Sequence, residues 1–265
     1  MYKKEILITG GKGYIGSNLV DYLEDKDCGY TIIDKKDDNW VLDINDVWRY
    51  DAVVHLAAEA GVSECRDDPE MAITTNVTST FYIMQQAEKY DTPLVFASSG
   101  AAPTPYESLY GMTKFMGEIE AKRLNLYKGK NHILRFANVY GGKYWEEKPS
   151  VIPLFINVKA KGEKLVVNGN GSQTRDFIHV RDICEAIWLA LNSDRVTNQP
   201  VPIGSGKLTS VLEIATMIGK KDGFTFDPDS DMVGVQEVSV DTKLAEEIYD
   251  FKAKELIEYH LDNND

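Results

Sequence analysis

Cysteine is scarce in this 265-residue chain: Cys28, Cys65 and Cys184 form an odd, widely spread set with no C-x-x-C pair. That excludes a disulfide framework and a zinc site, and it fits reduced thiols. Positive charge is also in deficit, with 29 Lys and Arg against 42 Asp and Glu and a formal net charge of −13. A nucleic-acid binder neutralises phosphates with Lys and Arg, so this balance argues against one. A small anionic ligand responds to local groups and stays open. No apolar run reaches the length that spans a bilayer. The first strand is expected from residue 5, which leaves no room for a signal peptide before it. The chain therefore reads as soluble and cytoplasmic, with neither a membrane nor a nucleic acid as partner.

Apolar residues are not lacking, and 43% of 265 positions suffices for a large α/β domain or for one domain plus a small lobe. Short apolar runs at Ile6–Ile8, 31–34, 52–58, 93–99 and 132–139 read as strands buried on both faces. Helical spacing of apolar residues links them over Ile15–Leu23, Met71–Tyr90 and Tyr110–Tyr127. Strand and helix alternating through short links predicts a doubly wound parallel sheet of Rossmann type. After residue 148 the rhythm changes. A helix over Pro149–Ala160, a strand over Lys164–Val167, the turn NGNGS and a helix over Arg181–Leu191 come next, then an acidic, loop-rich stretch over Phe224–Asp241 and a helix over Thr242–Ile248. No linker separates the two parts. We therefore expect a first domain at 1–148, with some later segments joining it, and a smaller interwoven C-terminal lobe at 149–265.

In ILITGGKGYIG, residues 6–16, Gly10, Gly13 and Gly16 stand where a strand turns into a helix. Glycine permits the turn, and the bare backbone lets an anion approach the first helical amides. A plain strand–turn–helix link has the same look, so residues farther along the chain decide between the two. No Gly-Lys-Ser/Thr comes after the turn, so it is not a P-loop. The second strand ends at Asp34, where a carboxylate accepts hydrogen bonds from adenosine ribose hydroxyls and repels a 2′-phosphate. NAD is thereby favoured over NADP, although Lys35 and Lys36 soften the preference. Farther on, Tyr110 and Lys114 lie four apart on one helix face, with Ser99 ending the strand before them. An ammonium beside a phenol favours phenolate, which can then exchange a proton with a substrate hydroxyl. Alone the pair would be an ordinary amphipathic surface feature; with the glycine turn and Ser99 it is a candidate catalytic group. No metal site is expected.

These motifs, in this order, resemble the extended short-chain dehydrogenase/reductases that modify nucleotide sugars. TGGKGYIG, HLAA (55–58), TTNVTST, YGMTK, LRFANVYGG (134–142), GNGSQTRDFIHVRDICEAI (169–187) and IGSGKLTSVLEIA (203–215) are similar to its elements over nearly the whole chain. The subgroup most resembled is the UDP-glucose 4-epimerase-like enzymes. The resemblance implies NAD contacts from Gly10, Gly13, Tyr14, Ile15, Gly16 and Asp34, with Asp43 and Ile44 by the adenine. It adds Leu56, Ala57 and Ala58 along the cofactor, Asn76 as the family's asparagine on that side, and Tyr110 and Lys114 at the ribose. It implies Ser99, Asn138 and Arg175 for a sugar nucleotide, UDP-hexose by preference, and a homodimer through paired helices. Phe81, Met84, Phe115 and Ile119 are candidate apolar contacts of that dimer or, equally, sheet-facing residues. Arg175 offers a planar fork suited to phosphate, or a salt bridge to Asp176 or Asp182. His179 reads as a packed residue of the second lobe.

The chain departs from the family in places. Only ten residues, 100–109, separate Ser99 from Tyr110, and Ala101 and Ala102 stand where 4,6-dehydratases carry an Asp-Glu pair, which argues against dehydration. Residues 227–236 lack the second diphosphate arginine, and Cys65 stands where the family often has serine.

Overall fold

The computed structural model describes residues 3–37, 40–143, 150–220, 222–228, 240–254 and 256. Six parallel strands form the main sheet: β1 (Lys4–Thr9), β2 (Cys28–Ile33), β3 (Ala52–His55), β4 (Leu94–Ser99), β5 (Asn131–Phe136) and, much later in the chain, β9 (Val201–Ile203). Their order is β2-β1-β3-β4-β5-β9. The order reverses between β1 and β3, so a crevice opens there at the carboxyl ends of the strands. The near-continuous apolar runs reflect burial on both faces: all of β3 and the first five residues of β4 are buried. This is the expected doubly wound sheet.

Helix α1 (Tyr14–Glu24) comes after β1, and α4 (Ser79–Lys89) and α5 (Leu109–Asn125) pack on the other side. No α-helix fills the β2-to-β3 crossover among the described residues. Short 3₁₀ turns replace it, and Val41, Ile44 and Val47 from that segment close the core over Leu7 and Val53.

The expected single helix over 71–90 is broken. After α2 (Val62–Asp67) and α3 (Pro69–Ile73), residues Thr74–Thr78 form one π-helical turn before α4 begins. The extra residue in the turn rotates Thr75 and Asn76 away from a regular helical face, a distortion common at functional sites.

The run 132–139, expected as one strand, changes sheet halfway. Ala137 N donates to Ile203 O in the main sheet, whereas Asn138 opens β6 (Asn138–Tyr140), which pairs with β8 (Thr174–His179). With β10 (Leu208–Ser210) these make a second, three-stranded sheet. The third sheet joins β7 (Leu165–Asn168) to β11 (Phe224–Asp227) in parallel, so the stretch expected as loop from 224 begins as a strand. Around it pack α6 (Val151–Ala160) and α8 (Val211–Gly219). Helix α8 is absent from the sequence reading, although Ser210 and Glu213 form the reciprocal capping box that marks such a start.

The two parts interweave through α7 (Val180–Leu191) and α9 (Lys243–Tyr249). Ile183, Ile187, Ala190, Ala245 and Tyr249 all lie in the core cluster of β1, β3 and β4. The boundary expected between residues 148 and 149 lies outside the described residues. Among the described residues no helix is long and apolar enough to cross a membrane.

Candidate active site

A cavity of about 260 Å³ runs along the carboxyl edge of the main sheet, from Asp34 and Lys36 at one end to Tyr110 and Lys114 at the other. Its floor is the glycine turn. A Cβ on Gly10 would lie 2.6 Å from Ala57 N, and one on Gly16 would lie 2.2 Å from Gly10 O. Glycine is therefore required at both positions for β1, β3 and α1 to approach one another. Gly13 caps α1 with no side-chain hydrogen bond and no acidic residue in the first turn. The helix thus presents open amides and its positive dipole end to the cavity.

Asp34 stands just past the tip of β2, 6% exposed. One oxygen accepts from Lys12 N at 2.8 Å and the other from Lys36 N at 3.0 Å. A carboxylate has about four acceptor positions, so capacity is left for ribose hydroxyls.

At the other end, α5 is fixed to the sheet by a buried ion pair. Glu118, fully buried, accepts from Arg135 Nε and Nη2 at 2.6 Å each and from Ser98 Oγ at 2.6 Å. One turn earlier on α5, Lys114 Nζ donates to Ala97 O at 2.9 Å and lies 6.0 Å from the centre of the Tyr110 ring. Burial lowers the Lys114 ammonium to about 8, with Cys65 opposing. Tyr110 departs from expectation. Burial pushes its phenol up, and hydrogen bonding to Ser99 opposes that shift. The protein alone does not pull this phenol toward neutrality, because the lysine is turned to a backbone carbonyl and desolvation dominates.

His55, absent from the sequence reading as a functional group, ties this site together. Its Nδ1 pairs with Thr9 Oγ1 at 2.7 Å and its Nε2 with Thr80 Oγ1 at 2.9 Å, bridging β1 to α4. Burial first, then Lys114, lowers it to about 3; His132, buried against Tyr249, is lowered to about 4. Both folded values lie below the unfolded value of 6.5, so the unfolded chain binds more protons as pH falls below 6.5. Stability is full above that pH and falls by up to about 1.4 kcal/mol per pH unit for each histidine on acidification. Denaturant unfolding between pH 7 and pH 5 measures this slope. We expect His55→Asn to flatten it, and an unchanged slope would remove His55 as a cause.

Twelve of the site residues expected from sequence line the cavity: Gly10, Gly13, Tyr14, Ile15, Gly16, Asp34, Leu56, Ala57, Ala58, Ser99, Tyr110 and Lys114. Five do not. Asp43 is exposed, and Ile44 is buried with its carbonyl accepting from Tyr82; from the same segment Trp40 and Val41 line the cavity. Asn76 is 1% exposed, and its amide is taken up by Glu59 N, Glu59 O and Thr113 Oγ1. It braces the loop after β3 against α5. Asn138 and Arg175 sit on β6 and β8, outside the cavity lining. Asn138 is exposed and reaches Asp176 O; Arg175 is half-buried, and burial lowers its pKa. Arg175 Nη1 donates to Thr174 O at 2.6 Å, whereas the Asp176 carboxylate is held by Ser205 and Gly206. Lys143 pairs with Asp21. His179 caps α7 by accepting from Arg181 N. Of residues 227–236, those from 229 to 236 lie outside the described residues.

The glycine turn, the open helix end and the tyrosine–lysine pair share one cavity, and residues 6–204 match the pattern of the NAD dependent epimerase/dehydratase family. The chain belongs to that family. It is 34% identical, over 258 aligned positions and 83% of each chain, to a Methanocaldococcus jannaschii protein provisionally named UDP-glucose 4-epimerase. It is 32% identical to the UDP-N-acetyl-alpha-D-glucosaminuronate decarboxylase of Bacillus cytotoxicus, covering 80% of this chain and 78% of that one. Among solved structures, UDP-N-acetylglucosamine 4-epimerase from Methanobrevibacter ruminantium superposes with a TM-score of 0.86 at 26% identity, covering 98% and 96% of the two chains.

NAD is the cofactor of the family, and the residues present fit it. The glycine cradle leaves room at the open amides of α1, and Asp34 keeps free acceptor positions. Thr75, 6% exposed, lines the cavity with its hydroxyl unpartnered among the described residues. A buried hydroxyl without a partner is costly, and a polar ligand in the cavity would relieve that cost. Neither Thr75 nor Trp40 is marked by the sequence. Thr75 sits in TTNVTST beside Asn76, and only the π-helical turn aims it inward.

Proposed function

We propose that this protein is a nucleotide-sugar epimerase that inverts C4 of a hexose linked to UDP. The carrying observation is that Ser99, Tyr110 and Lys114 share a single cavity with the glycine turn. NAD supplies the hydride acceptor, a ring that is positively charged when oxidised. Tyr110 takes the proton of the 4-hydroxyl, Ser99 hydrogen-bonds the same oxygen, and Lys114 holds positive charge near the phenol. Bound NAD would take the C4 hydride and give the same hydride back to the other face once the keto sugar has turned over within the site, while Tyr110 returns the proton to the oxygen. Arg175 and Asn138, on β8 and β6, are the groups we assign to the diphosphate and the sugar nucleotide.

The 32% identity to a sugar-acid decarboxylase favours a second reading, since oxidation at C4 also opens the way to loss of a carboxylate at C5. Incubating the protein with UDP-, dTDP- and GDP-hexoses and with a UDP-hexuronic acid, followed by NMR, separates the two. Interconversion of UDP-glucose and UDP-galactose without net NADH is the expected result. Carbon dioxide from the uronic acid alone favours the decarboxylase, and net NADH consumption points to a reductase. NAD binding with no turnover of any sugar points to a non-catalytic regulator.

We also propose a cytoplasmic homodimer. Ile119 is 49% exposed on α5, with Phe81 and Phe115 half-buried on the same side, whereas Met84 belongs to the core under the sheet. A lone protomer in sedimentation at micromolar concentration would rule that dimer out.

A further inference from the structure

Tyr14, Asn18 and Asp21 recur along α1 at i, i+4 and i+7, so they share one face of the helix. Each grips the segment just after β6. Tyr14 Oη donates to Gly141 O at 2.8 Å. Asn18 Oδ1 accepts from Lys143 N at 2.9 Å, and its Nδ2 donates to Lys143 O at 2.9 Å and to Tyr14 O at 2.8 Å. Asp21 pairs with Lys143 Nζ at 2.6 Å, a contact exposed enough to add little. Asn18 is therefore the principal tie, satisfying both backbone groups of one residue as a neighbouring strand would.

The segment is held from the other side as well. Gly141 and Gly142 have φ of +80° and +71°. A Cβ on Gly142 would lie 2.2 Å from Asn18 Oδ1, and one on Gly141 would lie 2.2 Å from His179 Nε2. His179 ends β8, directly opposite Tyr140 of β6. Residues 141–143 thus connect α1, whose first turn lines the cavity, to the strand pair that carries Asn138 and Arg175.

We propose that Asn18 is a positioning residue that couples the two ligand sites. Through Lys143 and the paired glycines it ties the amide end of α1, which receives a dinucleotide diphosphate, to the strands assigned to the sugar nucleotide. Anchoring α1 by its first turn holds residues 141–143 and, with them, β6 and β8. The coupling is reciprocal, so each ligand tightens the other by one shared factor. The role of Asn138 and Arg175 is the one part of this that rests on the proposed function.

The test is calorimetric titration of UDP into the wild type and into Asn18→Leu, with and without saturating NAD. NAD should tighten UDP in the wild type by about five- to a hundredfold. In Asn18→Leu that ratio should fall to near one, while NAD alone binds the variant within about twofold of wild type. Asn18→Asp keeps the acceptor for Lys143 N and loses both donated bonds, so an intermediate ratio is expected and guards against a misfolded leucine variant. Hydrogen exchange at amides 141–143 gives a readout that needs no UDP: NAD should slow it in the wild type and not in Asn18→Leu. Equal UDP ratios in wild type and variant, or equal protection by NAD, overturn the role of Asn18. If UDP fails to bind even the wild type, the sugar-nucleotide reading fails, and the exchange result decides on Asn18 by itself.

Discussion

Tyr110→Phe should lower turnover by about 10²–10⁴-fold while leaving the fold and NAD affinity almost unchanged. The ring stays, so the packing of the α5 N-terminus is kept, and only the proton carrier is lost. Because the interaction removed acts in the transition state, kcat should fall with little change in KM. The rise of the Tyr110 pKa on burial sharpens the expectation. A phenol held protonated by its surroundings is a poor base unless charge in the cavity is balanced, so wild-type activity should climb with pH through the neutral range. Rates of sugar turnover at pH 6 to 9 for both proteins provide the check. If the phenylalanine variant keeps more than about a tenth of wild-type turnover, Tyr110 is not the base.

Arg135→Ala should be the most destabilising single change at this site. It strands the fully buried Glu118 carboxylate, to which Ser98 Oγ still donates. Removing one member of a buried ion pair costs about 3–5 kcal/mol, because the surviving charge stays desolvated. For a chain of this size that corresponds to a fall of roughly 6–20 °C in Tm. The loss should reach the chemistry too, since Glu118 is one turn along α5 from Lys114 and Ser98 adjoins Ser99. Replacing both partners, with Glu118→Met and Arg135→Met together, should recover much of the stability by removing the unpaired charge. Denaturant unfolding of the single and double variants measures this. A loss below about 1 kcal/mol in Arg135→Ala would mean that water reaches Glu118 and that the pair does not anchor α5.

Much of this site is readable from the chain because its chemistry is local. Gly10, Gly13 and Gly16 lie within one turn, and Tyr110 and Lys114 share a helix face at a spacing set by 3.6 residues per turn. Glu118 and Arg135 are not readable, since neither their spacing nor their setting marks them until α5 is laid on β4 and β5. Resemblance puts Asp43 and Ile44 at the adenine; the chain here turns through 3₁₀ geometry, and Trp40 and Val41 are the residues of this segment that line the cavity. Thr75 looks like any polar helix residue. Its inward aim comes from the single π-helical turn, which has no marker in composition.

By itself the sequence determined the alternation of strand and helix, the bare turn after β1, the carboxylate after β2 and the tyrosine–lysine face. Each depends on residues a few positions apart, where backbone geometry fixes which side chains are neighbours. Tertiary structure alone decided that the run 132–139 changes sheet at Ala137, and that β9, α7 and α9 return to complete the main sheet and its core. It also decided that α1 grips residues 141–143. These outcomes depend on which distant backbone groups and apolar faces find one another, and a strand of given pattern is equally satisfied in either sheet until its partner is in place.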